Sequence, residues 1–300
     1  MAYDHEVAFE NAEVCLLQAA EGKNGVGIFR PKDLRCRWSR ECEQYRASFE
    51  VWVRIPSGAE ENGPTVVKKF ETDMSLFAHR LHQLEGKVFF DAINLQTSNS
   101  RIISESLGAG YATLRTSNGP ISGTFNASHR LDLRTSNAPI DVDVQLLDAG
   151  DDDGTDLIMR TSNNHIEATT TLVSADVDRT NGTFSIDART SNAHLSLAVP
   201  SAPVSHVLTL TARTSNARTS ASLPSSWEGD FRLQTSLYTP TVNAHTEVPD
   251  PSGQDRRRSV AVHTVRKGTV DGRAAWVPTE ERKTGVVNMR TSNAQLTLGL

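Results

Sequence analysis

Six arginines in this sequence stand at the same place in a repeated tetrapeptide. Each opens an Arg-Thr-Ser-Asn segment, and a seventh copy has Gln96 in place of the arginine. The six are Arg115, Arg134, Arg160, Arg189, Arg213 and Arg290. A guanidinium group presents a planar set of donors that matches phosphate and carboxylate oxygens. If the fold stacks the repeats, these arginines form a strip with the chemistry to bind a polyanion.

The asparagine that ends each tetrapeptide recurs with the same spacing. The seven are Asn99, Asn118, Asn137, Asn163, Asn192, Asn216 and Asn293. Asparagine before a small residue favours a tight turn, and we predict a positive φ at these positions. Stacked asparagine amides hydrogen-bond to one another along a column. We interpret the seven as a structural turn column and not as a chemical site.

The spacing of the repeat indicates the fold that must position these residues. Thr97, Thr116 and Thr135 are 19 residues apart, as are Thr161 and Thr180 of a degenerate Arg-Thr-Asn-Gly copy. Longer gaps read as one period plus a loop. Apolar and polar residues alternate around the turns, which is typical of strands with one buried face. A period near 19 is too short for a helical repeat, so we predict an all-β chain, a β-solenoid of roughly 19-residue coils.

The alternation also predicts which way the arginines face. They take the outward parity, where neighbours about 4.8 Å apart repel by about 0.9 kcal/mol in water. Asp132 lies two residues before Arg134, and Asp187 two before Arg189. Two interpretations stay open: an interleaved Asp and Arg surface that gives solubility and register, or a strip that binds polyanions.

The predicted organisation has two parts. Residues 1–90 form a β-rich N-terminal cap, because open solenoid ends need covering. The cap contains one short helix over Ser75–Leu84, which Asp73 caps and Gly86 ends. Residues 91–300 form the solenoid, with a β-meander insertion at about 238–285 whose turns lie at Lys267–Gly268 and Asp271–Gly272. The final strand, Ala294–Leu300, has no charged side chain and no capping sequence after it, so we predict that its edge would be exposed. We expect the meander to pair with this edge and cover it.

Composition limits the classes of function. The net charge of −5 gives no drive towards nucleic acid. No apolar run reaches membrane-spanning length, and the first residues lack the features of a signal peptide. Cys15, Cys36 and Cys42 are an odd set, which suits reduced thiols and favours the cytosol. We predict no metal site, either at these cysteines or at His79 and His82.

Enzyme templates are missing from the sequence. It contains no G-x-S-x-G, phosphate-binding glycine loop or HExxH motif, so we predict no catalytic residues and no cofactor. The acidic loop Asp148–Asp156 resembles a calcium loop only in composition. Calcium binding and a plain solvated loop both remain open there.

Two segments carry a resemblance to a known family. "LRTSNGPISGTF" and "LDLRTSNAPIDVDV" resemble the β-strand repeats of a family of adhesin-like bacterial proteins, and the wider layout is similar to a related fungal domain of unknown function. The resemblance covers roughly Lys69–Leu300. It implies a repeat fold and a non-enzymatic, adhesin-like structural or interaction module, acting on itself or on a glycan. The alternative is a module that binds carbohydrate or polyanion along the arginines.

Overall fold

The structure is a computed structural model that describes residues 2–3, 13–20, 23–29, 47–56, 63–150, 153–176, 178, 180–279 and 282–300. The chain divides into two compact units, Met1–Ile55 and Pro56–Leu300. In the first unit β1 (Ala2–Tyr3) pairs with β4 (Ala47–Ser48), and β2 (Glu13–Ala20) pairs with β3 (Lys23–Phe29). The apolar and polar residues of Ser48–Ile55 predict a strand there, but the strand ends at Ser48. The capping role of this unit stays a prediction.

The described residues of the second unit form strands and no helix. The strands are β5 (Thr65–Asp73), β6 (His79–Gln83), β7 (Val88–Gln96), β8 (Ile102–Arg115), β9 (Ile121–Arg134), β10 (Ile140–Asp148), β11 (Thr155–Arg160), β12 (Ile166–Ser174), β13 (Thr183–Arg189), β14 (Leu195–Ala198), β15 (Val207–Arg213), β16 (Thr219–Ser222), β17 (Gly229–Gln234), β18 (Thr241–Asn243), β19 (Arg257–Arg266), β20 (Thr269–Val277), β21 (Gly285–Arg290) and β22 (Leu296–Gly299). Their pairings form one network that closes on itself. Among the described residues no helix is long and apolar enough to cross a membrane.

Two columns of parallel strands run through this unit. The leading column holds the strands that end at the Thr-Ser-Asn turns, with β5 and β17 in register at its two ends. The order is β5, β7, β8, β9, β11, β13, β15, β21, β17. The trailing column holds those that leave the turns, in the order β6, β8, β9, β10, β12, β14, β16, β22, β18. The long strands β8 and β9 contribute to both columns. Equivalent repeat positions pair directly, as in Ile102 with Ile121.

The core lies between the two columns. Residues alternate between buried and more exposed along most strands, as the period of two requires. The leading column buries Leu95, Leu114, Leu133 and Met159, and the trailing column buries Ile102, Ile121, Ile140 and Ile166. These buried side chains pair in register from one strand to the next, so they make a continuous apolar layer along each column.

The repeat stack begins earlier than residue 91. β5 pairs in parallel with β7, and β6 pairs with β8, so residues 65–83 already belong to the two columns. The boundary between the units lies at Ile55 and Pro56 instead of near residue 90. The helix predicted over Ser75–Leu84 is wrong, because His79–Gln83 is a strand held in register by β8.

Extra residues enter the coils at the corner opposite the Thr-Ser-Asn turns. Asp148 ends β10 and Thr155 begins β11, and both strands keep their register on either side of the acidic loop. Thr180 of the Arg-Thr-Asn-Gly copy lies at this opposite corner too, where it bridges to Val204. Our interpretation of Thr180 as a repeat turn is therefore wrong, and Asn181 has the positive φ of 63° that the repeat asparagines lack.

The last strands are inserted between earlier ones. β21 pairs with β15 on one side and with β17 on the other. β22 likewise lies between β16 and β18. The expected exposed edge at Ala294–Leu300 is therefore wrong, since both sides of that strand are hydrogen-bonded within the same chain.

The predicted meander is a two-stranded hairpin. β19 and β20 pair antiparallel around a turn at Lys267–Gly268, and β20 pairs with β17 rather than with the final strand. The second predicted turn, at Asp271–Gly272, is wrong because both residues lie inside β20.

Candidate functional site

The Thr-Ser-Asn turns stack through their backbones. The N–H groups of Ser117 and Asn118 both donate to the carbonyl of Ser98, at 3.0 and 2.8 Å. The same pair of bonds recurs at each later Thr-Ser-Asn turn. Each turn therefore satisfies its backbone groups on the preceding turn, and the identical tetrapeptide is what allows identical geometry at every level.

The side chains of the repeat threonines face inward, and their hydroxyl groups hydrogen-bond to the backbone of the turns. All seven are buried: Thr97, Thr116, Thr135, Thr161, Thr190, Thr214 and Thr291. The hydroxyl of Thr135, for example, donates to the carbonyl of Gly119 at 3.2 Å. A buried hydroxyl that reaches a backbone carbonyl removes the cost of leaving either group unpaired.

The seven repeat asparagines form one continuous amide ladder. From Asn118 onward, each Nδ2 donates to the Oδ1 of the preceding repeat asparagine, at distances of 2.6 to 2.8 Å. The ladder crosses the inserted strands, because Asn293 donates to Asn216. None of the seven has a positive φ, so that part of the turn prediction is wrong. Their role is side-chain bonding between coils.

We expect Asn137→Leu to lower the free energy of unfolding by about 1–3 kcal/mol. The change removes two ladder bonds, to Asn118 and from Asn163, each contributing about 0.5–1.5 kcal/mol. Asn99→Leu is the matched control, because Asn99 accepts a ladder bond only from Asn118. Urea unfolding should give the control about half the loss, and equal losses would contradict the ladder account.

The six repeat arginines lie in register on adjacent strands of the leading column. The order is Arg115, Arg134, Arg160, Arg189, Arg213, Arg290. Gln96 lies beside Arg115 at one end, and Gln234 beside Arg290 at the other. We call this row the arginine ladder. Neighbouring strands are about 4.8 Å apart, so six cationic stems rise from one narrow strip.

Two aspartates pair with the first four rungs and offset half of their positive charge. Asp132 is 4% exposed and accepts two bonds from Arg134, at 2.7 and 2.8 Å, while Arg115 lies 3.8 Å away. This pairing with Asp132 raises the pKa of Arg134. Asp187 holds Arg189 at 2.7 Å and Arg160 at 3.3 Å. Each carboxylate therefore serves two rungs, and four arginines share two acids.

The last two rungs have no acidic partner among the described residues. Thr211 and Asn288 take the positions that Asp132 and Asp187 occupy in the other coils. Arg213 and Arg290 are both exposed. The ladder is thus electrostatically uneven, with a paired end and a free cationic end.

A second row of charges lies across the turns on the trailing column. His165 Nε2 is 2.9 Å from Asp141, and His194 Nε2 is 2.8 Å from Glu167. The two imidazole rings stack with centroids 4.9 Å apart. The hydrogen bond with His194 is the main cause that lowers the pKa of Glu167. Sequence reasoning missed this row, although both histidines stand five residues after a repeat arginine.

A buried polar cluster lies beside the hairpin. Glu228 is 5% exposed, and its carboxylate bonds Arg282 and the N–H of Trp276. Arg258 is 3% exposed, donates to the carbonyl of Trp227 at 2.7 Å and lies over the Trp276 ring. This cluster could not be predicted from the sequence, because its members come from separate strands and loops.

His206 lies close to this cluster, and its burial makes the free energy of unfolding depend on pH. It is 1% exposed, with Nδ1 2.6 Å from the carbonyl of Pro203, and burial lowers its pKa to about 4. Between its ordinary pKa of about 6.5 and that value, the unfolded chain binds a proton that the folded chain excludes. His206 therefore contributes stability that is lost as pH falls through this window.

We expect the His206 contribution to fall by about 2 kcal/mol between pH 7 and pH 4.5. The measurement is urea unfolding of the wild type and of His206→Gln at both pH values. The wild type should lose more stability than the variant. His245→Gln, at an exposed histidine, should behave as the wild type does. A loss that is equal for wild type and His206→Gln would show that another group is responsible.

The other sequence candidates are not brought together into a site. His79 Nε2 bonds the hydroxyl of Thr72 at 2.7 Å, and His82 lies 3.4 Å from Glu105. Within the described ranges no three His, Cys, Asp or Glu residues are placed to hold a metal ion. Cys15 is a free thiol, and Cys36 and Cys42 lie outside the described residues.

The acidic loop uses one carboxylate structurally. Asp148 is buried and accepts bonds from the N–H groups of Gly150 and Thr183. Asp151 and Asp152 lie outside the described residues. Calcium binding by this loop stays an open prediction.

Comparisons with protein families, with curated proteins and with solved structures found no match for this chain.

Proposed function

We propose that residues 65–300 form a β-solenoid and that the protein is a non-enzymatic, adhesin-like structural or interaction module. The strands of successive repeats pair in parallel and in register, and asparagine and threonine bonds join each coil to the next. Repeated residues here serve the stacking of coils. The outward surface is left for interaction, and that is where the repeat places charge.

The uneven charge of the arginine ladder is the observation that supports a specific interaction. We infer that the free end, with Arg213 and Arg290, binds an anionic polysaccharide, and that the paired end gives register and solubility. Both interpretations of the arginines then apply, each to a different part of the row. An exposed guanidinium without a carboxylate partner keeps its donors available for an incoming oxyanion.

Polymer recognition suits this geometry better than recognition of a small molecule. The rungs repeat at a constant spacing, and a polyanion carries its charges at a repeating spacing too. Binding of this kind should depend strongly on salt, because the contacts are exposed and are screened beyond about 10 Å at 0.1 M ionic strength.

A glycan array combined with heparin retention at graded salt tests the proposed function. We expect binding to sulfated and uronate-rich glycans, none to neutral glycans, and elution from heparin that moves with salt. Absence of retention at low salt would contradict polyanion binding. Light scattering at micromolar concentration would then test the remaining role, in which the module associates with itself.

A further inference from the structure

The arginine ladder continues past its last arginine into the hairpin. Arg290 pairs across the strands with Gln234, Gln234 with Thr269, and Thr269 with Arg266. One row of side chains therefore runs from the repeat coils to the end of β19. Lys267 follows at the hairpin turn and is exposed.

These residues surround a cleft of about 320 Å³. Three cations line it: Arg266, Lys267 and Arg290. Gln234 and Ser236 also line it and supply neutral donors. The cleft is open to solvent, and its volume is at the lower end of the range for small-molecule sites. A tetrahedral oxyanion on a sugar ring would fit this space.

The described residues that line the cleft include no carboxylate. Asp271, on the same hairpin, lies 3.3 Å from Arg232 and so is paired outside the cleft. The aspartates of the ladder, Asp132 and Asp187, serve the far rungs. Three positive charges with no internal counter-ion favour a bound anion.

The hairpin turn at Lys267–Gly268 is hydrogen-bonded to the segment that follows β17, and this bond fixes one wall of the cleft against the other. Thr235 N–H donates to the carbonyl of Gly268 at 2.8 Å. Gly268 has a φ of +78°, and a Cβ there would lie 2.1 Å from the carbonyl oxygen of Thr235. Only glycine allows this close approach, so Lys267 is held beside Arg290 by backbone geometry.

We propose that this cleft is a binding site for a tetrahedral oxyanion, a sulfate or phosphate ester group carried by a glycan. Arg290, Arg266 and Lys267 bind the charge, and Ser236 and Gln234 donate to the remaining oxygens. The proposal rests on the proposed function and names its anchoring subsite. A polysaccharide held here at one anionic group would continue along the free rungs of the arginine ladder.

Titrations with inorganic sulfate and with inorganic phosphate test the site directly. The full chain is followed by amide NMR, with chloride replaced so that ionic strength stays constant. We expect saturable shifts confined to residues 234–236, 266–269 and 290–291. The double variant Arg290→Gln with Lys267→Gln is expected to weaken binding by at least about tenfold, because two charge-assisted contacts are lost.

The matched control is Arg80→Gln with Arg101→Gln, which removes the same charge from exposed arginines outside the cleft. It should leave the affinity within about twofold of the wild type. Shifts spread over all the arginines, or equal losses in both variants, would overturn the site. If the wild type is retained on heparin but neither sulfate nor phosphate saturates, the cleft alone is rejected. If the wild type is not retained at low salt, polyanion binding, the part of the proposed function on which the cleft rests, is rejected as well.

Discussion

Leu298→Asp is expected to lower the free energy of unfolding by more than about 4 kcal/mol. Leu298 is fully buried on β22, where it pairs with Ala221 on one side and Val242 on the other. The change removes apolar contacts and places a carboxylate between two coils. Urea unfolding measures the loss, and a variant that fails to fold at 25 °C satisfies the same prediction.

The neighbouring Thr297→Asp is the matched control. Thr297 lies on the same strand with outward parity, opposite Ser220 and Thr241. The introduced charge is identical, but it stays in contact with solvent, so we expect a loss below about 1 kcal/mol. If both variants lose little, the strand is not inserted between two coils as described.

Glu228→Ala is expected to cost about 3–5 kcal/mol, because it breaks a buried ion pair from one side. The carboxylate joins Arg282, the N–H of Trp276 and, at 3.9 Å, Arg256. Its removal leaves buried positive charge without this counter-ion. Thermal and urea unfolding both measure the effect.

Glu247→Ala serves as the comparison, since Glu247 is exposed. It should change the free energy of unfolding by less than about 0.5 kcal/mol. A loss at Glu228 as small as that at Glu247 would mean that solvent reaches the cluster.

The repeat could be predicted from the sequence because it is local. A period of two within each unit and a period near 19 between units determine which residues face inward and which positions stack. Thr135, Asn137 and Arg134 therefore stand where their spacing placed them. The same information supported an all-β chain.

The order of the last coils could not be predicted in this way. β21 and β22 carry the same alternation as every other coil, so their pattern fits any level of the stack. Their place between β15 and β17, and between β16 and β18, depends on which neighbours leave an edge open. That is a property of the whole fold, and no residue near Arg290 encodes it.

Two local errors have a similar cause. His79–Gln83 was expected to lie within a helix because a capping residue and a glycine bracket it, yet pairing with β8 makes it a strand. The repeat asparagines were expected at positive φ, yet their amides bond between coils instead. In both cases contacts between coils outweighed a weak local preference.

Only part of the charge pattern of the arginine ladder could be predicted from the sequence. Asp132 and Asp187 stand beside arginines in the chain, so local pairing was expected. The sequence did not reveal that each aspartate also reaches the arginine of an adjacent coil, or that the hairpin brings Arg266 and Lys267 to the free end. Those contacts arise only when distant segments meet.

The most direct test of the account is the equilibrium affinity for heparin of two double variants. Arg213→Gln with Arg290→Gln removes the free rungs, and Arg134→Gln with Arg189→Gln removes two paired rungs and the same charge. We predict at least about a tenfold loss of affinity for the first and less than about threefold for the second. Equal losses, or a larger loss at the paired rungs, would contradict the claim that the free end of the arginine ladder is the binding surface.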